Sequence, residues 1–460
     1  MTPDLSDPSP KHPTTWASTT WSTVFSGVVG GLFGGLLGAA FAVAVTDVIK
    51  RMLAVVSRQD TWIIITTPLV GLALAVAVLH RLSHGEAAQE LDVTPSPRRP
   101  PRYLRTWRAF PADVSRADLT ADVVANSGHE ERFPWRLAPV RGLAVIATVG
   151  LGAPMGTEAP AAHFGVAAGA FLGERARWMR RHARPASLAG GAAAVSALMG
   201  IPLVGAVFML ELGRRRRTPV DLARVVPALV GGVVGWAINV TFDLSLIRLA
   251  VPRVAPEDLI HVLGTVVVVG AVSGALASLT GAAIYRARAW TASPATRLVI
   301  GGLAAGATAV ALTIVASPAA AIGPGSGAVA WSDTTETAWL TLITVAVLRA
   351  VATTAAVAAG GCGGVFVPFL AIGDVAGRAF APALGISSDL AGAAGAAGGI
   401  AGGYRLPWTA VAMVIGVGGP SAATITCLAT VGVAAFSGVG TGLALDRFTG
   451  RRPVPEPEAS

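Results

Sequence analysis

A glutamate stands in the middle of a membrane-length apolar stretch, and the pattern around it returns later in the chain. Between Arg141 and Glu174 the only other ionisable side chains are Glu158 and His163. Glu158 lies in Gly156-Thr157-Glu158-Ala159-Pro160, and about 208 residues later comes Gly364-Val365-Phe366-Val367-Pro368. Both read G-x-[E/F]-x-P, and past each proline the glycines fall at the same offsets, Gly165 and Gly169 in one copy, Gly373 and Gly377 in the other. A carboxylate at the centre of a spanning helix costs roughly 2.5–3.5 kcal/mol on insertion scales, so it is usually kept for an ion pathway. Duplicated, interrupted helices place their N-termini near the bilayer midplane around a substrate site.

A second pair of motifs supports the duplication. Ile201-Pro202-Leu203-Val204-Gly205-Ala206 resembles Leu406-Pro407-Trp408-Thr409-Ala410-Val411, at an offset of about 205 residues. Two independent pairs at nearly one offset are hard to obtain by chance, even in a chain this rich in glycine and alanine. Most of those small residues are explained by close helix packing. The glycines that precede Glu158 and Phe366 are assigned to the site.

The chain is 53% hydrophobic and only 13% charged, with a mean hydropathy of +0.63, outside the range of ordinary soluble domains. Apolar runs recur at 21–46, 61–79, 142–173, 186–210, 226–242, 262–284, 298–331 and 390–446. Several are short or broken by Gly and Pro, which predicts a polytopic membrane protein that mixes full spans, tilted helices and half-helices. The net charge of +9 does not point to nucleic acid. Its basic residues cluster beside apolar runs (Arg98-Arg99, Arg175 to Arg184, Arg214 to Arg217), as positive-inside topology requires of cytoplasmic segments in a multi-pass protein of the cell (inner) membrane. Cys362 and Cys427 both lie in apolar sequence, so neither a structural disulfide nor a metal site is expected. No Ser-His-Asp set, P-loop or metal cluster is present, so no enzyme and no cofactor are expected.

The expected organisation is a disordered N-terminus over 1–20, membrane helices and a polar Pro/Arg-rich linker over 21–114, a first repeat core over 115–243, a second repeat over 258–450, and a disordered tail over 451–460.

Two facing helix N-termini offer unpaired N–H groups and roughly half a positive charge each. Pro160 and Pro368 suit the first helical turn, because their missing N–H needs no partner there. Backbone amides hold an anion without a full cation that would trap it. A cation site would want carboxylates or carbonyls at this depth, whereas the second motif supplies only Val365, Phe366 and Val367. The site therefore reads as anionic in its ligand, with Gly156, Gly364, Val365 and Phe366 as its backbone. Glu158 is either an acidic cap on its own helix or a gate that competes with the anion for the same amides; the repeat and the depth favour the gate.

These motifs resemble the CLC chloride channels and chloride–proton antiporters. Gly156-Thr157-Glu158-Ala159-Pro160 is similar to the family's G-[KR]-E-G-P motif, and Gly364-Val365-Phe366-Val367-Pro368 to its G-x-F-x-P motif. Pro139-Val140-Arg141 resembles the basic element ahead of the gate, and Tyr404-Arg405-Leu406-Pro407 an element of the second half. The resemblance covers about 115–450. It implies an all-α polytopic membrane protein with an inverted-topology repeat of about 16–18 tilted and broken helices, and transport of small inorganic anions, chloride first, with Glu158 as gating residue, Arg141 as a pathway-lining basic residue, protons as a possible second substrate, and a homodimer with one pore per subunit in the lipid bilayer. A fluoride-preferring relative and a non-conducting scaffold or sensor are the alternatives.

The departures are specific. The family's G-S-G-x-P serine is matched only by Ser115, without flanking glycine or proline. The family's central tyrosine has no counterpart near its expected place, where Pro455 falls, and the last helix is replaced by a polar tail. The exchangers' inner proton-transfer glutamate aligns with Leu212, beside Glu211. That implies channel-like or weakly proton-coupled transport. Of the other buried charges, His163 reads as a packing residue, Glu211 as a partner of Arg214 or Arg215, and Arg349 and Asp374 as partners of each other.

Overall fold

The computed structural model describes residues 16–56, 62–83, 118–244, 248–419 and 422–449. Ser115, the linker centred on 85–114 and the tail from 451 lie outside the described residues. Among those described there are 18 α-helices and no β-strand. The first half comprises α1 (Trp16–Val56), α2 (Trp62–Ser83), α3 (Leu119–Ala125), α4 (Ala138–Val145), α5 (Glu158–Arg175), α6 (Ala183–Met199), α7 (Pro202–Arg214) and α8 (Leu222–Phe242). The second comprises α9 (Leu259–Ala289), α10 (Pro294–Val315), α11 (Pro318–Ala321), α12 (Ser326–Thr334), α13 (Trp339–Ala358), α14 (Phe366–Arg378), α15 (Ala381–Leu384), α16 (Ser388–Tyr404), α17 (Pro407–Gly418) and α18 (Ile425–Thr449). Seven of the helices are long and apolar enough to cross a membrane. They present large apolar side chains outward, such as Trp236, Val240, Leu303 and Ile314, where a soluble protein would place polar ones.

Each half is built around one small-residue helix. On α6, Gly190 and Ser187 receive the backbone of α5 at Gly165 and Gly169, with no room for a methyl group at either. On α16, Gly395 and Ala391 receive α14 at Gly373 and Gly377 in the same manner. The matched glycine offsets are thus matched helix crossings, which small residues permit in a membrane.

The repeat also reaches further back than the motifs indicate. α1 packs on α5, α6 and α8 as α9 packs on α14, α16 and α18. Gly30 and Gly34 of α1 meet α6, and Gly270 and Gly274 of α9 meet α18 and α16. α1 thus packs in the first half as α9 does in the second, although the expected boundary at 115 leaves it outside the first repeat core. α1 also begins at Trp16, inside the segment read as a polar N-terminus.

Candidate functional site

The two G-x-x-x-P motifs meet. Gly156 N–H donates to the Gly364 carbonyl at 2.7 Å, and Gly364 N–H donates back to Gly156 at 2.8 Å, an isolated antiparallel bridge between the halves. A reciprocal pair of this kind is the signature of a local two-fold axis, as an inverted repeat requires. A Cβ on Gly364 would stand 3.2 Å from the Ala159 Cβ and 3.3 Å from the Gly156 oxygen, so glycine there eases the close approach of the two segments. The N–H groups of Gly156 and Gly364 are each taken up by the other's carbonyl. The amides that remain to face a ligand are those that follow.

Those amides begin α5 and α14. Thr157 is the N-cap of α5 and Val365 that of α14, and neither helix has a side-chain cap. Ala161 N–H returns to the Thr157 carbonyl at 2.9 Å and Phe369 N–H to Val365 at 3.1 Å. The amides of Glu158, Ala159, Phe366 and Val367 therefore precede the first helical hydrogen bonds, while Pro160 and Pro368 have no N–H to satisfy. All these residues are buried.

The Glu158 side chain is 4% exposed and folds back across the junction. Its carboxylate faces the backbone N–H groups of Thr157, of Glu158 itself and of Val367 on the opposite helix. Its Oε2 is buried and completes no hydrogen bond. It lies so close over Gly156 that a Cβ there would collide with it. A carboxylate thus stands at the N-terminus of α14, from the other half of the molecule.

Below it, the Val365 N–H donates to the Tyr404 hydroxyl at 3.4 Å. Tyr404 ends α16 and stacks on Phe366, with centroids 3.8 Å apart and planes 7° from parallel, while Phe369 meets the ring edge-on. The Thr120 hydroxyl, from the start of α3, is the side-chain partner of the Tyr404 hydroxyl. The Arg215 guanidinium lies 5.8 Å above the Tyr404 ring. Nearby, Arg288 forms an ion pair with Asp118, the N-cap of α3. Sequence reasoning assigned no role to Thr120 or to the Tyr404 hydroxyl. Only the tertiary approach of α3 and α16 to α14 identifies them.

The other assignments divide. Arg141 is buried and pairs with Asp122 at 3.3 Å. His163 is fully buried beside the same carboxylate, 3.7 Å from it, with neither ring nitrogen hydrogen-bonded and the Phe133 ring edge-on at 4.9 Å. Glu211 has Arg215 as an electrostatic neighbour and also caps α17, accepting from Trp408 N–H (3.2 Å), Thr409 N–H (2.7 Å) and the Thr409 hydroxyl (2.7 Å). Leu212 beside it is fully buried. Arg349 and Asp374 are not partners. Arg349 reaches the carbonyls of Ala320, Ala321 and Gly323 where α11 ends, and Asp374 bonds Arg378 four residues on, at 3.0 Å. Carbonyls at a helix C-terminus are a sufficient counterpart for a buried guanidinium.

The family model described as voltage gated chloride channel matches residues 107–438 of this chain. The chain is 26% identical over 294 residues to the H(+)/Cl(-) exchange transporter ClcA of Yersinia pestis bv. Antiqua (strain Angola), covering 61% of this chain and 60% of that protein. It is 30% identical over 274 residues to the putative chloride channel protein ClcB-like of Ralstonia nicotianae, covering 56% and 59%. The matched stretch thus spans about three fifths of the length of these curated relatives. Among solved structures, it resembles a slow cyanobacterial Cl-/H+ antiporter, with a TM-score of 0.67 at 19% identity over 94% of this chain and 98% of that one. It resembles a CLC-type fluoride/proton antiporter equally, with a TM-score of 0.67 at 18% identity over 93% and 96%.

Proposed function

We propose that this chain, which belongs to the voltage gated chloride channel family, moves small inorganic anions, chloride first among them, across the inner membrane through a pore gated by Glu158. One observation carries the reading: the Glu158 carboxylate, mounted on one half, faces the Val367 N–H at the start of α14 on the other. A carboxylate and a permeant anion want the same donors, so they exclude each other. The Phe366 and Val367 amides, with that of Val365, are the donors for the anion; Gly156 and Gly364 contribute the close approach that sets the two helix starts face to face. Proline in both first turns and the lack of a cationic side chain among the donors keep binding weak enough for release. Arg141, paired with Asp122, contributes positive potential from behind α5. As the family resemblance implies, the protein works as a homodimer with a pore in each subunit.

Transport is channel-like or weakly coupled to protons. Leu212 cannot ionise, and the neighbouring carboxylate of Glu211 already accepts three hydrogen bonds as the cap of α17. Carrying a proton through apolar packing without a relay is costly.

The test is anion efflux from liposomes, with chloride and fluoride compared, for the parent protein and Glu158→Gln. The reading expects efflux from the parent, faster efflux from the variant, and loss of pH dependence across roughly pH 4.5–7.5, a range that spans the reference carboxylate pKa. Equal flux at every pH would make Glu158 a helix cap. No flux from either would mark a scaffold. Sustained uphill proton movement at a fixed anion ratio would make the protein an exchanger.

A further inference from the structure

The N–H of Val365 is already engaged, and by an oxygen that the resemblance to the family does not supply. We propose that Tyr404 and Thr120 are anion ligands of this pore, and that the Tyr404 hydroxyl oxygen competes with the anion for the Val365 N–H. The inference rests on the pore proposed above and names the inner wall of its site.

The geometry sets out three donors at one place. Val365 N–H points to the Tyr404 oxygen at 3.4 Å, a long bond between neutral groups. The Thr120 side chain, at the start of α3, lies beside the same hydroxyl. The Tyr404 O–H is the third. Tyr404 is 6% exposed and Thr120 8%, so these groups are out of bulk water. At the same helix start, the Glu158 carboxylate faces the Val367 N–H, and its buried Oε2 completes no hydrogen bond. Two acceptors thus meet the α14 N-terminus, a phenol oxygen at Val365 and a carboxylate at Val367.

An anion that reaches Val365 displaces the Tyr404 oxygen from that N–H. The phenol then ceases to accept and donates its own proton to the anion, and Thr120 does the same. Hydrogen bonds to a charged partner are stronger than those between neutral groups, so the exchange favours the anion. The phenol cannot swing far, because its ring is stacked on Phe366 at 3.8 Å and flanked by Phe369. A small shift of the hydroxyl is enough. This places a tyrosine hydroxyl in the pore from α16, although the chain has no tyrosine near its C-terminal end.

The experiment is a calorimetric chloride titration of the purified protein in the Glu158→Gln background, where the competing carboxylate is neutral. Tyr404→Phe keeps the ring stack and removes only the hydroxyl; Thr120→Val removes the second hydroxyl, and Thr120→Ser restores it. The expected result is chloride binding by Glu158→Gln alone, weakened about ten-fold by Tyr404→Phe and by Thr120→Val, and returned to within about two-fold by Thr120→Ser. Melting temperatures read alongside separate lost affinity from lost folding. Unchanged chloride affinity in both Tyr404→Phe and Thr120→Val overturns this inference and leaves the pore standing. No chloride binding even by Glu158→Gln overturns the pore reading itself and this inference with it.

Discussion

Gly156→Ala should open the pore without altering any charge. The backbone permits the substitution, since Gly156 is not among the glycines of positive φ. Its N–H and carbonyl would remain in the bridge to Gly364, which involves no side chain. The new methyl would collide with Glu158 Oε2 and come to 3.3 Å from its carboxyl carbon. The three atoms nearest that methyl all belong to the Glu158 carboxylate, the far end of a flexible side chain. The carboxylate therefore yields, and moves off the α14 amides. An acid against a partly buried helix N-terminus is worth up to about 2 kcal/mol. Surrendering half of that, about 1 kcal/mol, raises anion occupancy about five-fold. The assay is initial chloride efflux from liposomes in a double-mutant cycle with Glu158→Ala. Gly156→Ala should speed efflux severalfold on its own and add nothing once the carboxylate is gone. An equal effect in both backgrounds would show that the methyl acts on the backbone junction, and no effect in either would show that the carboxylate does not hold the anion out.

Three further outcomes test the frame around the site. Glu211→Ala leaves the three α17 donors unpaired, and should cost about 1–3 kcal/mol, read as a lower melting temperature in detergent. Gly373→Ala would drive a methyl onto the Gly395 carbonyl, 2.9 Å from its carbon; such overpacking costs about 1–3 kcal/mol or more. Gly306→Ala, whose nearest neighbour would be Ile65 at 3.4 Å, should be tolerated and serves as the control.

The helix starts were legible because their chemistry is local. Glycine, an uncapped turn and proline at the third helical position leave a mark in sequence, and duplication printed it twice. The glycines past each proline, at matching offsets, make equivalent helix crossings in the structure. What sequence missed depends on partners distant along the chain. Thr120 lies in a seven-residue helix with no motif of its own. Tyr404 reads only as the residue before Arg405-Leu406-Pro407, and its hydroxyl reaches Val365 because α16 ends there, with Arg405 in the left-handed conformation at φ 60°. The partners of Arg349 were unreadable, since carbonyls at the end of α11 carry no side-chain signature. Asp374 is different: Arg378 stands four residues along the same helix, a spacing that pairs charges by rule, and it was passed over for a more distant arginine. Glu211 does lie in the field of Arg215, but the helix start that it caps is 197 residues away in sequence and leaves no local mark.

The central claim is that an anion and the Glu158 carboxylate compete for the amides that begin α14. Bromide-soaked crystals of the parent and of Glu158→Gln, compared by anomalous diffraction, test it directly. The account predicts a peak against the Val365, Phe366 and Val367 amides that is stronger in the variant than in the parent. A peak of equal height in both, or one seated away from those amides in the variant, would contradict it.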